Sequence, residues 1–144
     1  MQSALAAVGL PEAPGAGPAR SSYEPGVCNI GPAEIARRRT AGRVGLAVTV
    51  ILLATLVAVG APPLTRLVLV LPAAGAASGY LQAWLRFCAG FGSRGVFNFG
   101  VPGQTEGVAD PVDRAADRAR ATQIGVASLV VGVVVGVAAA LLPL

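Results

Sequence analysis

Three stretches of this chain carry no charged residue: Val44 to Thr65, Leu67 to Leu85 and Ala121 to Leu144, of 22, 19 and 24 residues. A helix needs about 20 predominantly apolar residues to cross the hydrocarbon of a bilayer. Only a helix or a closed barrel satisfies its own backbone there. The runs lack the alternation of barrel strands and are too few to close a barrel. Each is apolar all round, so packing them into a soluble core leaves no polar face to cover it. Composition agrees. The chain is 54% hydrophobic and 12% charged, about half the charge of an ordinary soluble domain. The expectation is an all-α membrane protein with three transmembrane helices, the first two an antiparallel hairpin.

Arginine placement orients it. Arg37, Arg38, Arg39 and Arg43 precede the first run, and Arg86, Arg94, Arg114, Arg118 and Arg120 lie between the second and third. Arg66 stands alone in the first link. The positive-inside rule then puts the N-terminus and the second loop in the cytoplasm and the C-terminus on the opposite side. The implied localisation is the inner (plasma) membrane of a prokaryote, multi-pass.

Residues 1–27 read as a disordered cytoplasmic tail. An apolar Ala4 to Leu10 has no basic residue before it and no clear cleavage site after it, so it does not make a signal peptide. Pro11, Pro14, Gly15, Gly17, Pro18, Pro25 and Gly26 come after it. Residues 28–92 read as the hairpin with its basic start, 93–110 as an aromatic and Gly-rich cytoplasmic loop, and 111–144 as an interfacial stub plus the third helix.

Two helix starts share one construction. Gly31-Pro32-Ala33-Glu34 and Asp110-Pro111-Val112-Asp113 put proline at the first helical position and an acid in the first turn. Proline gives up no hydrogen bond there, and the acid suits the helix dipole. The expected helices run from Pro32 to about Gly60, stopped by Ala61-Pro62-Pro63, and from Pro111 to about Leu142. Pro72 predicts a kink in the second span. Gly75-x-x-x-Gly79, and Gly132-x-x-x-Gly136 with Ser128 one step earlier, are spacings that let helix backbones approach. All four phenylalanines lie in Arg86 to Ala109, close after Tyr80 and Trp84, and predict an aromatic belt at the membrane surface or against a partner.

Chemistry is sparse. There is no histidine, which removes the commonest metal ligand and acid–base catalyst. Cys28 and Cys88 are both expected on the cytoplasmic side. Two thiols do not complete a zinc site, and the cytoplasm disfavours a structural disulfide. They read either as small apolar residues at helix ends or as a thiol pair for sulfur, redox equivalents or a soft metal. Cys88-x5-Arg94 imitates the anion-binding loop of cysteine-dependent phosphatases, but that loop needs a strand before it and a helix after it. We read it as coincidental. Arg37, Arg38, Arg39 and Arg43 read as headgroup and topology contacts, not as a nucleic-acid site. Asn98-Phe99-Gly100 echoes Asn29-Ile30-Gly31 without establishing a repeat.

Asn29, Ile30, Gly31, Glu34, Arg38 and Gly42, with Cys88 in the turn after the second run, resemble the YgaP-like inner-membrane family of small transmembrane hairpins. The resemblance covers residues 27–92. The chain departs from that pattern at Ile35, at Ala89 and in its third run. The resemblance implies a homodimeric or accessory membrane hairpin without assigned biochemistry. The fused sulfurtransferase domain of some relatives has no counterpart here.

The expectation for function is a non-enzymatic accessory or structural membrane protein without cofactor. It packs in the bilayer with itself, as a homo-oligomer, or with a larger complex. A membrane thiol protein using Cys28 and Cys88 is the alternative. A small transporter comes third, because Thr49, Thr55 and Ser78 are the only hydroxyls well inside the first two runs and transport paths usually need charge.

Overall fold

Residues 22–143 are described by a computed structural model. Helix α1 (Pro32–Ala58) starts where Gly31 is extended and Pro32 takes the first helical position. It ends in a Schellman turn. Ala61 N–H donates to the Leu56 carbonyl at 2.9 Å and Gly60 N–H to the Val57 carbonyl at 3.0 Å. Gly60 has φ +65°, a left-handed conformation that a side chain disfavours. Gly60 therefore stops the helix, and the prolines only shape the link to the next one.

The second apolar run is wound in two ways. Pro63–Leu69 is a 3-10 helix, and α2 is Val70–Trp84. Pro72 sits in the first turn of α2, and the change of winding falls just before it. Proline has no N–H to give the Val68 carbonyl, so the α-helical ladder cannot run back through that turn. Between α2 and the last long helix the chain forms a short helix α3 (Ala89–Arg94) and two antiparallel strands, β1 (Val96–Phe97) and β2 (Glu106–Gly107). Helix α4 (Pro111–Leu141) is capped by Asp110, whose Oδ1 accepts the Val112 N–H at 2.7 Å.

The segment between α2 and α4 corrects the expected surface loop and aromatic belt. Phe87, Phe91 and Phe97 are buried, and Phe87 packs with Ala121 and Ile124 of α4. Burial within the chain removes these rings from water, so they need neither lipid nor a partner. Trp84, 79% exposed, and Tyr80 remain on the outside.

Three helices are long and apolar enough to cross a membrane: Pro32–Ala58, Pro63–Trp84 and Pro111–Leu141. They stand in a row with α2 in the middle, and α1 and α4 scarcely meet. Small residues make the crossings. A Cβ on Gly79 would lie 2.6 Å from Gly42 Cα, and one on Gly45 2.7 Å from Ala76 N. On the other side, a Cβ on Gly132 would lie 2.5 Å from the Val70 carbonyl oxygen, and Gly136 faces the Val70 side chain. Ser128 is buried on the same stripe and donates to the Ile124 carbonyl at 2.7 Å. Gly75 does not join in: nothing lies within 4 Å of where its Cβ would be. The Gly75-x-x-x-Gly79 spacing thus holds one packing glycine, where Gly132-x-x-x-Gly136 holds two.

At the far end, Arg66 in the 3-10 segment is buried and donates to the carbonyls of Ala139 (3.1 Å) and Leu142 (3.0 Å). The last turn of α4 has no basic residue of its own. Arg66 supplies the cation that its exposed carbonyls and dipole favour.

Gly79→Ala is expected to cost about 1–3 kcal/mol by forcing α1 and α2 apart. Gly75→Ala, one turn away in open space, is expected to be neutral or to stabilise by up to about 1 kcal/mol. Thermal melting of both variants in one detergent measures the contrast. Equal losses would remove the asymmetric crossing.

Candidate functional site

The end of the molecule opposite Arg66 holds most of its polar chemistry. Asn29 organises it. Its Oδ1 accepts the Cys88 N–H at 2.7 Å, and its Nδ2 donates to the Cys88 carbonyl at 3.1 Å. One side-chain amide thus satisfies both backbone groups of the residue opening α3. The Asn29 N–H donates to the Arg86 carbonyl at 3.2 Å, and its carbonyl accepts the Asn98 N–H at 3.0 Å. The Gly31 N–H closes the ladder on the Asn98 carbonyl at 2.8 Å. A Cβ on Gly31 would sit 2.9 Å from Phe99 Cα, so only glycine lets the two strands approach. Asn29-Ile30-Gly31 and Asn98-Phe99-Gly100 are therefore paired to each other.

Asn98 reaches further. Its Oδ1 accepts the Gly100 N–H at 2.9 Å, and its Nδ2 donates to the Val101 carbonyl at 2.9 Å and toward Glu34 Oε1 at 3.5 Å. Glu34 is almost wholly buried. Arg37 Nη1 lies 3.3 Å from its Oε1 and Arg38 Nη2 3.9 Å from its Oε2. A buried carboxylate needs such partners. Arg38 Nη2 also donates to Cys88 Sγ at 3.0 Å. Arg38 and Arg94 both stand over the Phe91 ring, at 5.9 and 5.6 Å.

The cysteines are both free thiols in unlike places. Cys88 is buried with Ile30 and Phe91. Cys28 is half-exposed, its sulfur 3.9 Å from the Ile30 carbonyl. Burial pushes the Cys28 thiol up, and the nearby Arg86 pulls against that. Cys88 to Arg94 does not lie open as a loop. Its residues wind into α3, and the Cys88 and Ala89 N–H groups are taken by Asn29 and by Gln82 Oε1 at 2.9 Å. Arg94 Nε turns back to the Gly90 carbonyl at 3.0 Å. Among the described residues, no three His, Cys, Asp or Glu side chains gather to hold a metal.

Sequence reasoning missed a latch. Asp117 is fully buried on α4. Its Oδ2 accepts from the Tyr23 hydroxyl at 2.8 Å and its Oδ1 from the Gly26 N–H at 2.7 Å. Tyr23 stacks on Phe97 with ring centres 4.8 Å apart. Residues 22–27 are thus packed and correct the expected tail, whose residues 1–21 lie outside the described ones. A signal was present. Asp117 shares the helical stripe of Ala121, Ile124, Ser128 and Gly132, all buried, so it had to face inward with a partner.

Of the residues singled out in the sequence, Cys88, Asn29, Gly31, Glu34 and Arg38 converge here, with Gly42 on the same face of α1 at the α2 crossing. Arg37 joins Glu34. Arg39 and Arg43 are exposed and make no ion pair among the described residues. The chain matches no protein-family model, no curated protein and no solved structure.

Burial first, then the Asp117 carboxylate, push the Tyr23 phenol well above its ordinary range. The latch's contribution is complete below the usual tyrosine pKa of about 10. It is lost as pH rises through and beyond that point, because the unfolded phenol ionises first. In ultraviolet titration of the folded protein, the Tyr23 signal, assigned by its loss in Tyr23→Phe, is expected to appear only beyond that range. Asp117→Ala leaves the Gly26 N–H unpaired, a cost of about 1–3 kcal/mol. Limited proteolysis should then cut within residues 22–30, and resistance equal to wild type would remove the latch.

Proposed function

We propose that this chain is a small polytopic membrane protein with a non-enzymatic, accessory role, packing with itself or with a larger membrane complex. One observation carries the reading: hydroxyls inside the apolar helices are spent on their own backbones, and the other polar groups on neighbouring segments of the chain. Thr49 and Thr55 each donate to the carbonyl four residues earlier at 2.8 Å, and Ser128 does the same. Arg66 is committed to the end of α4. Little is left to carry a solute or proton across, while the outer faces of α1 and α4 are apolar, as at Val50, Ile51, Val126 and Val134. Asn29, Gly31, Glu34, Arg38 and Cys88, on which the resemblance to the YgaP-like hairpins rests, lie together at one end of the molecule.

Nine arginines gather toward the Asn29 end and Arg66 lies at the other, which supports a cytoplasmic N-terminus; the membrane we propose is the inner membrane of a prokaryote. Cys28 is then expected to react with an impermeant maleimide in inverted vesicles and not in right-side-out ones. The reverse pattern inverts the topology. For the role, purification in mild detergent is expected to retain a stoichiometric foreign subunit or a homo-oligomer on native mass measurement. A strictly monomeric, partner-free chain would contradict it.

A second reading has its own support. A guanidinium held against a sulfur, as Arg38 holds Cys88, is the setting in which thiols act as nucleophiles or ligands. It makes this a membrane thiol protein centred on Cys88, with Cys28 in a different role. Selective alkylation of Cys88 in a Cys28→Ser background, abolished together with function in Cys88→Ser, would favour it. An unreactive Cys88 with a fully functional Cys88→Ser would end it.

A further inference from the structure

A hollow of about 550 Å³ opens beside the start of α1. Ile30, Ile35 and Phe99 give it an apolar lining, Cys28 reaches it, and Arg39 and Arg86 bring two guanidinium groups to it. Neither arginine has an ion pair among the described residues. Arg86 has φ +53° and is the only described non-glycine residue with positive φ. That conformation costs energy for any side chain, so an arginine is held there under strain. Arg39 also lines a second, smaller hollow of about 320 Å³ with Tyr80, Leu81 and Trp84. The two spaces meet at Arg39, one basic above an apolar lining, the other aromatic and open on the outer face of α2.

We propose that these hollows bind one anionic phospholipid, its phosphate held between Arg39 and Arg86 and an acyl chain lying along Tyr80, Leu81 and Trp84. The proposal rests on the membrane reading above and narrows it. Within the basic run, Arg37 is taken by Glu34 and Arg38 by Cys88, which leaves Arg39 free to meet a headgroup. Two guanidinium groups match a phosphate in charge and hydrogen-bond donors. The apolar and aromatic lining on the far side of Arg39 selects a lipid over a free anion, since a soluble phosphate gains nothing from Leu81 and Trp84.

The chain has a single tryptophan, and it lies in the groove. The full chain is reconstituted in vesicles containing either brominated phosphatidylglycerol or brominated phosphatidylcholine, and Trp84 quenching is measured against mole fraction. Half-quenching is expected at about fivefold lower mole fraction of the anionic lipid, the scale of one arginine at an anionic surface. Arg39→Gln with Arg86→Gln should abolish the preference, and Arg118→Gln, exposed on α4 and outside both hollows, should leave it. Equal quenching by the two lipids overturns the site and leaves the membrane reading standing. No quenching by either overturns both. A preference lost as fully in Arg118→Gln reduces the site to a diffuse basic surface and overturns it. A second readout uses the unaltered protein in detergent: phosphatidylglycerol should slow alkylation of Cys28, scored by peptide mass, while inorganic phosphate should not. Equal protection by inorganic phosphate would overturn the lipid assignment.

Discussion

A backbone N–H or C=O left unpaired beside hydrocarbon costs several kcal/mol, and the irregular stretches packed against the helices among the described residues are built around that constraint. The apolar helices satisfy themselves. The turn after α2, the opening of α3 and the strap before α1 cannot, so side chains take over. Asn29 pairs with both backbone groups of Cys88, Gln82 with the N–H of Ala89, Asp117 with that of Gly26, and Arg66 with the last carbonyls of α4. These four side chains come from four different segments. Each ties an otherwise orphaned backbone group to another part of the chain, so local satisfaction and tertiary structure are one event.

The helix row depends on a second constraint, that of distance. Packing in lipid has no hydrophobic drive between helices and relies on close contact. Gly42 against Gly79, Gly45 against Ala76 and Gly132 against Val70 bring backbones within reach on both faces of α2. Because α2 is covered on both sides, α1 and α4 keep their outer faces free for lipid or for another protein. A closed three-helix bundle would hide those faces. The row is an open arrangement, consistent with an accessory role in which further helices complete the packing.

Much of this is legible in the sequence, and the failures have physical causes. Charge exclusion over a bilayer's length announces the three apolar helices. Proline with an acid close behind marks the starts of α1 and α4 within a residue. The stop of α1 is subtler, because Gly60 acts through φ and the neighbouring prolines mask it. Arg86 to Ala109 misleads, since four phenylalanines among glycines look the same whether they face lipid or one another. What decides is Asn29, 59 residues from Cys88 in the chain, and local pattern does not carry such pairing. Asp117 and Arg66 are different. Both lie on readable stripes, and a charged residue on a buried stripe is itself the message, which a reading by net charge and topology passes over.

The Arg37-Arg38-Arg39 run shows why such counting falls short at the site. Successive residues on a helix point about 100° apart, so three adjacent like charges cannot share one task. Arg37 turns to Glu34, with its head largely exposed. Arg38 lies on the inward stripe of Glu34 and Gly42 and meets Cys88. Arg39 points away from both, toward the hollow that Arg86 borders. One arginine balances a buried acid, one contacts a thiol and one is left for an external anion. The Glu34 carboxylate between the first two keeps the run from being a bare positive patch. Arg39 is the one guanidinium of the run with no ion pair among the described residues, so the headgroup chemistry proposed for this end rests on Arg39 and Arg86 more than on the run as a whole.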